Sequence, residues 1–177
     1  MNMLSRQLRS TEAAEIAEAA LVLPVVFLFL LGIIWFGRAF NIYSTIQQAA
    51  QQGAIAAARP TCAGSCGNTL ATSSSVKTVV EAVMKASNLD TSQIIAGAPP
   101  AWCTSPDNIT ICQNVLLNPS SNPTTIQSCG SPPQPTPSQI CGSLVTFQYP
   151  FTFNLPLLSL QVSTVTLTAQ AQSRMEN

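Results

Sequence analysis

The chain has no histidine, and only 8% of its 177 residues are charged, against roughly 25% in an average soluble protein. Without an imidazole there is no histidine base and no histidine zinc triad. Carboxylates are almost as scarce: Glu12, Glu15, Glu18, Glu81, Asp90, Asp107 and Glu176 are the full set. Seven basic residues cancel seven acidic ones, which argues against nucleic acid or any other polyelectrolyte as a partner. No glycine-rich phosphate loop is present, because "CAGSCG" lacks both the lysine and the strand–helix context. A cysteine nucleophile needs a basic partner, and none lies nearby in sequence. These absences argue against an enzyme and give no reason to expect a cofactor or a metal.

What is present is an apolar run. From Ala19 to Phe36 there is no charge. At ~1.5 Å per residue the run reaches ~27 Å, close to the hydrocarbon thickness of a bilayer. A secretory h-region is shorter, and the small-residue stretch "GAIAAARP" lies too far downstream to serve as its cleavage site. The run is therefore read as a retained spanning helix. Arg6 and Arg9 precede it, which sets the amino terminus in the cytoplasm and the rest outside. Arg38, on the outer side, is close enough to the end to snorkel beside Trp35 and Tyr43.

Helix formers continue past the run, with no proline before Pro60. Phe40, Tyr43, Ile46 or Gln47, Ala50 and Ala54 make an apolar stripe at helical spacing. The sequence thus predicts one helix over 14–58, ~65 to 70 Å long. Its small residues (Ala39, Ala49, Ala50, Gly53, Ala54, Ala56, Ala57, Ala58) are suited to close approach by another helix. Glu18 at the edge of the run has two readings. With Glu12 and Glu15 it can face the helix dipole, worth about 0.3 to 1 kcal/mol. Alternatively it is buried when the helix joins others, and then needs a cation beside it. Pro24 removes one backbone hydrogen bond and marks a kink or a melted turn.

The segment 59–177 holds all six cysteines (Cys62, Cys66, Cys103, Cys112, Cys129, Cys141) and twelve of the thirteen prolines lie from Pro60 onward. An even count after a membrane anchor reads as a disulfide framework in an oxidising compartment. Six cysteines permit fifteen pairings; local pairing of Cys103 with Cys112 and of Cys129 with Cys141 is favoured. Val76, Val79, Val80, Val83 and Met84 predict an amphipathic helix over about 75–87, with Lys77, Glu81 and Lys85 opposite and serines 73 to 75 offering the N-cap. Strands are predicted in "SQIIAGA", "NITICQNVLL", "SLVTFQYPFTF" and "STVTLTAQAQS". Residues 118–139 form a proline-rich polar loop, and "NIT" at 108 is a glycosylation sequon. The fold class is α+β: a long transmembrane helix continuing as a stalk, then a small disulfide-bonded head with one helix on an antiparallel sheet.

The segment "EAALVLPVVFLFLLGIIWFGRAFNIYSTIQQAAQQGAIAAA" resembles the amino-terminal signature of TadE-like proteins, pseudopilins of the tight-adherence (Flp) type IV pilus system. The likeness rests on Glu18, Leu21 to Pro24, Gly32, Ile33, Phe36 to Ala39, Phe40, Tyr43, Ala49, Ala50, Gly53 and Ala54. "VTFQYPF" and "TVTLTAQAQSRME" resemble that family's two carboxy-terminal strands. The resemblance implies cleavage of a leader (1–13) after Ala13 by a prepilin peptidase. Ala14 becomes residue one and Glu18 residue five, a partner for a neighbour's new amino group. Position 13 is alanine here, where the family has glycine. Implied partners are other pilin or pseudopilin subunits, the peptidase, an inner-membrane assembly platform and membrane lipid. The implied role is a minor structural subunit, with the head periplasmic or extracellular. The alternative is an uncleaved, membrane-anchored binding or adhesion module of the envelope.

Overall fold

The computed structural model describes residues 4–61, 69–97, 103–105, 108–117, 129, 140–154 and 161–175. Cys62, Cys66 and all of the proline-rich loop except Cys129 lie outside the described residues. The chain divides into two compact units, Met1–Phe40 and Asn41–Asn177.

The first unit is the amino-terminal part of α1, a helix spanning Leu4–Ala58. It begins upstream of the predicted residue 14 and continues without interruption through Pro24. The melted turn expected at Pro24 is therefore absent. Losing one donor leaves the carbonyl one turn back unbonded, and the bonds on either side still hold the helix.

The second unit contains the rest of α1 and everything after it. Here Ile46, Ala49, Ala50, Ala54 and Ala57 are completely buried. Their spacing of three and four residues places them on one stripe of the helix. That stripe packs into a core shared with Val76, Val80 and Met84 of α2 and with Val145, Phe147 and Ala169 of the sheet. The small residues expected to admit another helix thus receive α2 of this chain, and the sheet as well. Gly53 shows how close the approach is. A Cβ there would sit 2.6 Å from Val80 Cγ2 and 3.5 Å from Val145 Cγ1.

After α1 come two short paired strands, β1 (Pro60–Thr61) and β2 (Thr69–Leu70). Helix α2 (Ser73–Ala86) follows. Its N-cap is Thr72, one residue before the predicted serines; the Thr72 hydroxyl accepts from the Ser75 N–H at 3.4 Å. Thr72 takes the role because its backbone is extended, while Ser73 is already helical. At the other end Asn88 adopts φ 56°, and the Leu89 N–H donates to the Met84 carbonyl. This is a Schellman closure with asparagine in the left-handed position. Val76, Val80 and Met84 face the core, and Glu81 bridges Lys77 at 3.5 Å and Lys85 at 3.1 Å on the outer face.

Three strands complete the head: β3 (Thr110–Leu116), β4 (Cys141–Asn154) and β5 (Gln161–Arg174). They form an antiparallel sheet of order β3-β4-β5. Along β4, Val145, Phe147, Tyr149 and Phe151 alternate into buried positions, the period-2 pattern of a half-covered strand. Leu144 points to the opposite face and joins Cys112 and Val115 in a second, smaller cluster. The predicted strand "SQIIAGA" does not form. Its start is a 3-10 turn, Thr91–Gln93, capped by Asp90, and only Ile95 pairs, with Gln148. The Asp90 side chain wins this segment, because its carboxylate accepts both the N–H and the hydroxyl of Ser92.

Candidate functional site

The anchor carries the strongest functional signal. All residues from 14 to 30 are exposed. Large apolar side chains point out on every side: Leu21 is 74% exposed, Phe29 70% and Phe36 75%. A helix apolar all round with no protein against it matches a hydrocarbon surround. The best 18-residue window has mean hydropathy 2.8 and no buried residue. This element fits a single-pass membrane anchor.

Its two ends differ. At the amino-terminal end Glu18 is exposed, with Glu15 one turn before it. Because α1 starts at Leu4, Glu18 lies about four turns inside the helix. A dipole acts only within the first turn, so in the full-length chain Glu18 draws nothing from it. At the other end the Arg38 guanidinium sits over the Trp35 ring, 5.8 Å from its centroid, a cation–π arrangement suited to the water–lipid boundary. Between them Gly32 opens a notch lined by Val25, Leu28, Phe29, Ile33 and Phe36, and a Cβ on Gly32 would meet nothing within 4 Å. Ala14 and Pro24 are exposed on the same unit; the Ala13 side chain lies outside the described set.

The cysteines belong to the other unit. Cys103 bonds to Cys112 and Cys129 to Cys141, each closing a short local loop. Both disulfides border the β3–β4 pair, since Cys112 lies in β3 and Cys141 begins β4 opposite Leu116. The Asn108 sequon is structurally occupied: its amide donates to the Ile94 carbonyl at 3.0 Å, and Thr110 is fully buried. Asn108 also adopts φ 70°. These residues build the turn into β3, and Asn108 itself is exposed. Hydrogen bonds from Ser92 hold the Asp90 carboxyl below its usual range. Burial pushes the Tyr149 phenol up, and the Asp90 charge adds to this. Among the described residues no group of histidine, cysteine and carboxylate side chains could hold a metal.

Three polar side chains that sequence reading passed over tie the head together. Ser143 donates from a buried position to the Ala54 carbonyl at 2.6 Å, joining β4 to α1. Gln113 reaches the Ala71 carbonyl at 2.7 Å, and Gln47 reaches the Thr168 carbonyl at 3.2 Å. Serines and glutamines are common in this chain, and nothing local singles these out before the fold brings their partners close.

Residues 13–54 match the family model of TadE-like proteins. The matched stretch runs from the residue before Ala14, through the anchor, to Ala54 in the head's core. It therefore covers both environments of α1. No curated protein and no solved structure matches the chain. TadE-like proteins are a structural family associated with a pilus system.

Proposed function

We infer that this chain is a structural and assembly subunit, a minor pseudopilin of a tight-adherence (Flp-type) pilus or a related secretion system. It inserts in the inner membrane with its amino terminus cytoplasmic and its disulfide-bonded head periplasmic. Its partners are other pilin or pseudopilin subunits, with prepilin peptidase and the inner-membrane platform acting on it before assembly. The head is a contact module for assembly or adhesion rather than a catalyst.

The observation that carries this reading is the placement of Glu18 within the matched stretch. Cleavage after Ala13 removes the first turns of α1. Glu18 then moves from mid-helix to the second turn of a new helix, and a fresh α-amino group appears at Ala14. A cation and a carboxylate thus stand four residues apart at the rim of an apolar rod. Within one chain the cation lies next to the helix start. Between staggered chains it can neutralise a neighbour's Glu18 as that carboxylate leaves water, where an unpaired charge is prohibitive.

The test is Glu18→Gln. The variant is expected to insert and fold normally, yet its share in sheared filaments should fall at least tenfold relative to the membrane fraction. An unchanged filament share would remove the proposed role of Glu18. A protein absent from filaments and from inner-membrane assembly complexes in both forms would remove the function.

A further inference from the structure

Sheet edges are where a fold can accept another chain, because alternate residues of an edge strand leave N–H and C=O unpaired. Among the described residues the three-stranded sheet has two edges, β3 and β5, and they differ. The β3 edge is closed. Ile111 exchanges both backbone bonds with Thr104, Cys112 is tied to Cys103, and a bulge between Gln113 and Val115 breaks the register. Beyond the end of β3, Ile95 takes both backbone groups of Gln148. Strand β5 has its own register shift between Val162 and Val165, but from Val165 onward it carries none of these devices. Thr164 to Ser173 contains no charge and no proline, and Val165 to Arg174 pairs with β4 without a register shift.

The register shows which groups face out. Gln148 turns its N–H and C=O toward Ile95, away from β5. The Gln148–Thr168 pair is therefore a non-hydrogen-bonded one. By alternation Thr166, Thr168, Gln170, Gln172 and Arg174 direct their backbone groups outward. Gln47 agrees, since it reaches the Thr168 carbonyl from outside the sheet. Gln170, Gln172 and Arg174 lie beyond that contact and are exposed. Among the described residues nothing bonds to their outer row.

We propose that this run is a docking edge for a second copy of this chain, paired antiparallel about a two-fold axis at Gln172. Gln47 occupies Thr168, so the free ladder starts at Gln170 and ends at Arg174, and its centre is Gln172. In that pairing Gln172 meets Gln172 of the other copy, and Gln170 meets Arg174. Arg174, the one charge on β5, never faces its counterpart. Glutamine side chains supply both donor and acceptor across the pair. The run is thus self-complementary in backbone and side chain, with no like charges opposed. This inference rests on the head alone and holds whether or not the anchor is cleaved.

The test places a photo-crosslinking residue at Gln172 of the full-length chain in native membranes. The crosslink is expected to join β5 of two copies. Gln170→Lys sets like charges against Arg174 and should cut the yield at least tenfold, whereas Gln170→Glu should maintain or raise it. Gln170→Pro removes an N–H that the sheet does not use and should abolish the crosslink with the circular dichroism unchanged. If the proline variant unfolds the head, the opposite signs of the lysine and glutamate variants carry the test. A crosslink into another protein, into another surface of the second copy, or of a yield indifferent to Gln170→Lys overturns the proposal.

Discussion

At the residue scale, the head is shaped by positions where a side chain is missing or hidden. Gly142 is the sharpest case. A Cβ there would collide with the Ser173 carbonyl oxygen and come within 2.5 Å of Leu117 Cδ1. The carbonyl belongs to the backbone of β5, which is locked in register with β4, so it cannot yield. Gly142→Ala should therefore destabilise the head by roughly 2 kcal/mol, read as a lower urea midpoint by circular dichroism. Gly53 faces a side chain instead, Val80, which has more freedom to adjust. Gly53 was expected to admit another helix, and Val80 of α2 is there; Gly142 could not be assigned a purpose from sequence, because its purpose is set by a strand distant along the chain. Ser143 was equally opaque: its partner carbonyl belongs to Ala54. By contrast the β4 alternation of Val145, Phe147, Tyr149 and Phe151 was legible, since a period of two needs only its own strand.

At the element scale, periodic segments were read well and capped ones less so. Helix α2 and strands β3, β4 and β5 follow from their apolar spacing. "SQIIAGA" was misread because its hydrophobic residues suggested a strand, while Asp90 and Ser92 folded the chain locally before it could pair. The small-residue stripe of α1 was legible as a close-packing surface for another helix, but not as one that the sheet shares. Gly53 lies beside both Val80 of α2 and Val145 of β4, and the Ala54 carbonyl accepts from Ser143, a choice made by tertiary folding. The disulfides staple what the sheet leaves loose. Cys103–Cys112 and Cys129–Cys141 close loops with sequence separations of 9 and 12, each worth about 3 kcal/mol of unfolded-state entropy. The paired variant Cys103→Ala/Cys112→Ala is expected to lose about 2 to 4 kcal/mol in urea unfolding. A loss well under 1 kcal/mol would show that the β3–β4 ladder holds without the link.

At the scale of the whole molecule, one long helix serves two environments. Its amino-terminal part is exposed and apolar in the first unit, and its carboxy-terminal part is buried in the core of the second. The TadE-like match lies within α1 and spans both of its parts. The apolar run and its flanking charges were legible from composition alone. The start of α1 at Leu4 was not, and it matters, because it puts Glu18 beyond the dipole in the uncleaved chain. The account therefore turns on cleavage. The deciding measurement is the amino terminus of the membrane-extracted protein, by intact mass and terminal sequencing. A chain beginning at Ala14, with Glu18 fifth, is what the account predicts; a chain that still begins at Met1 in membranes and filaments alike would contradict it.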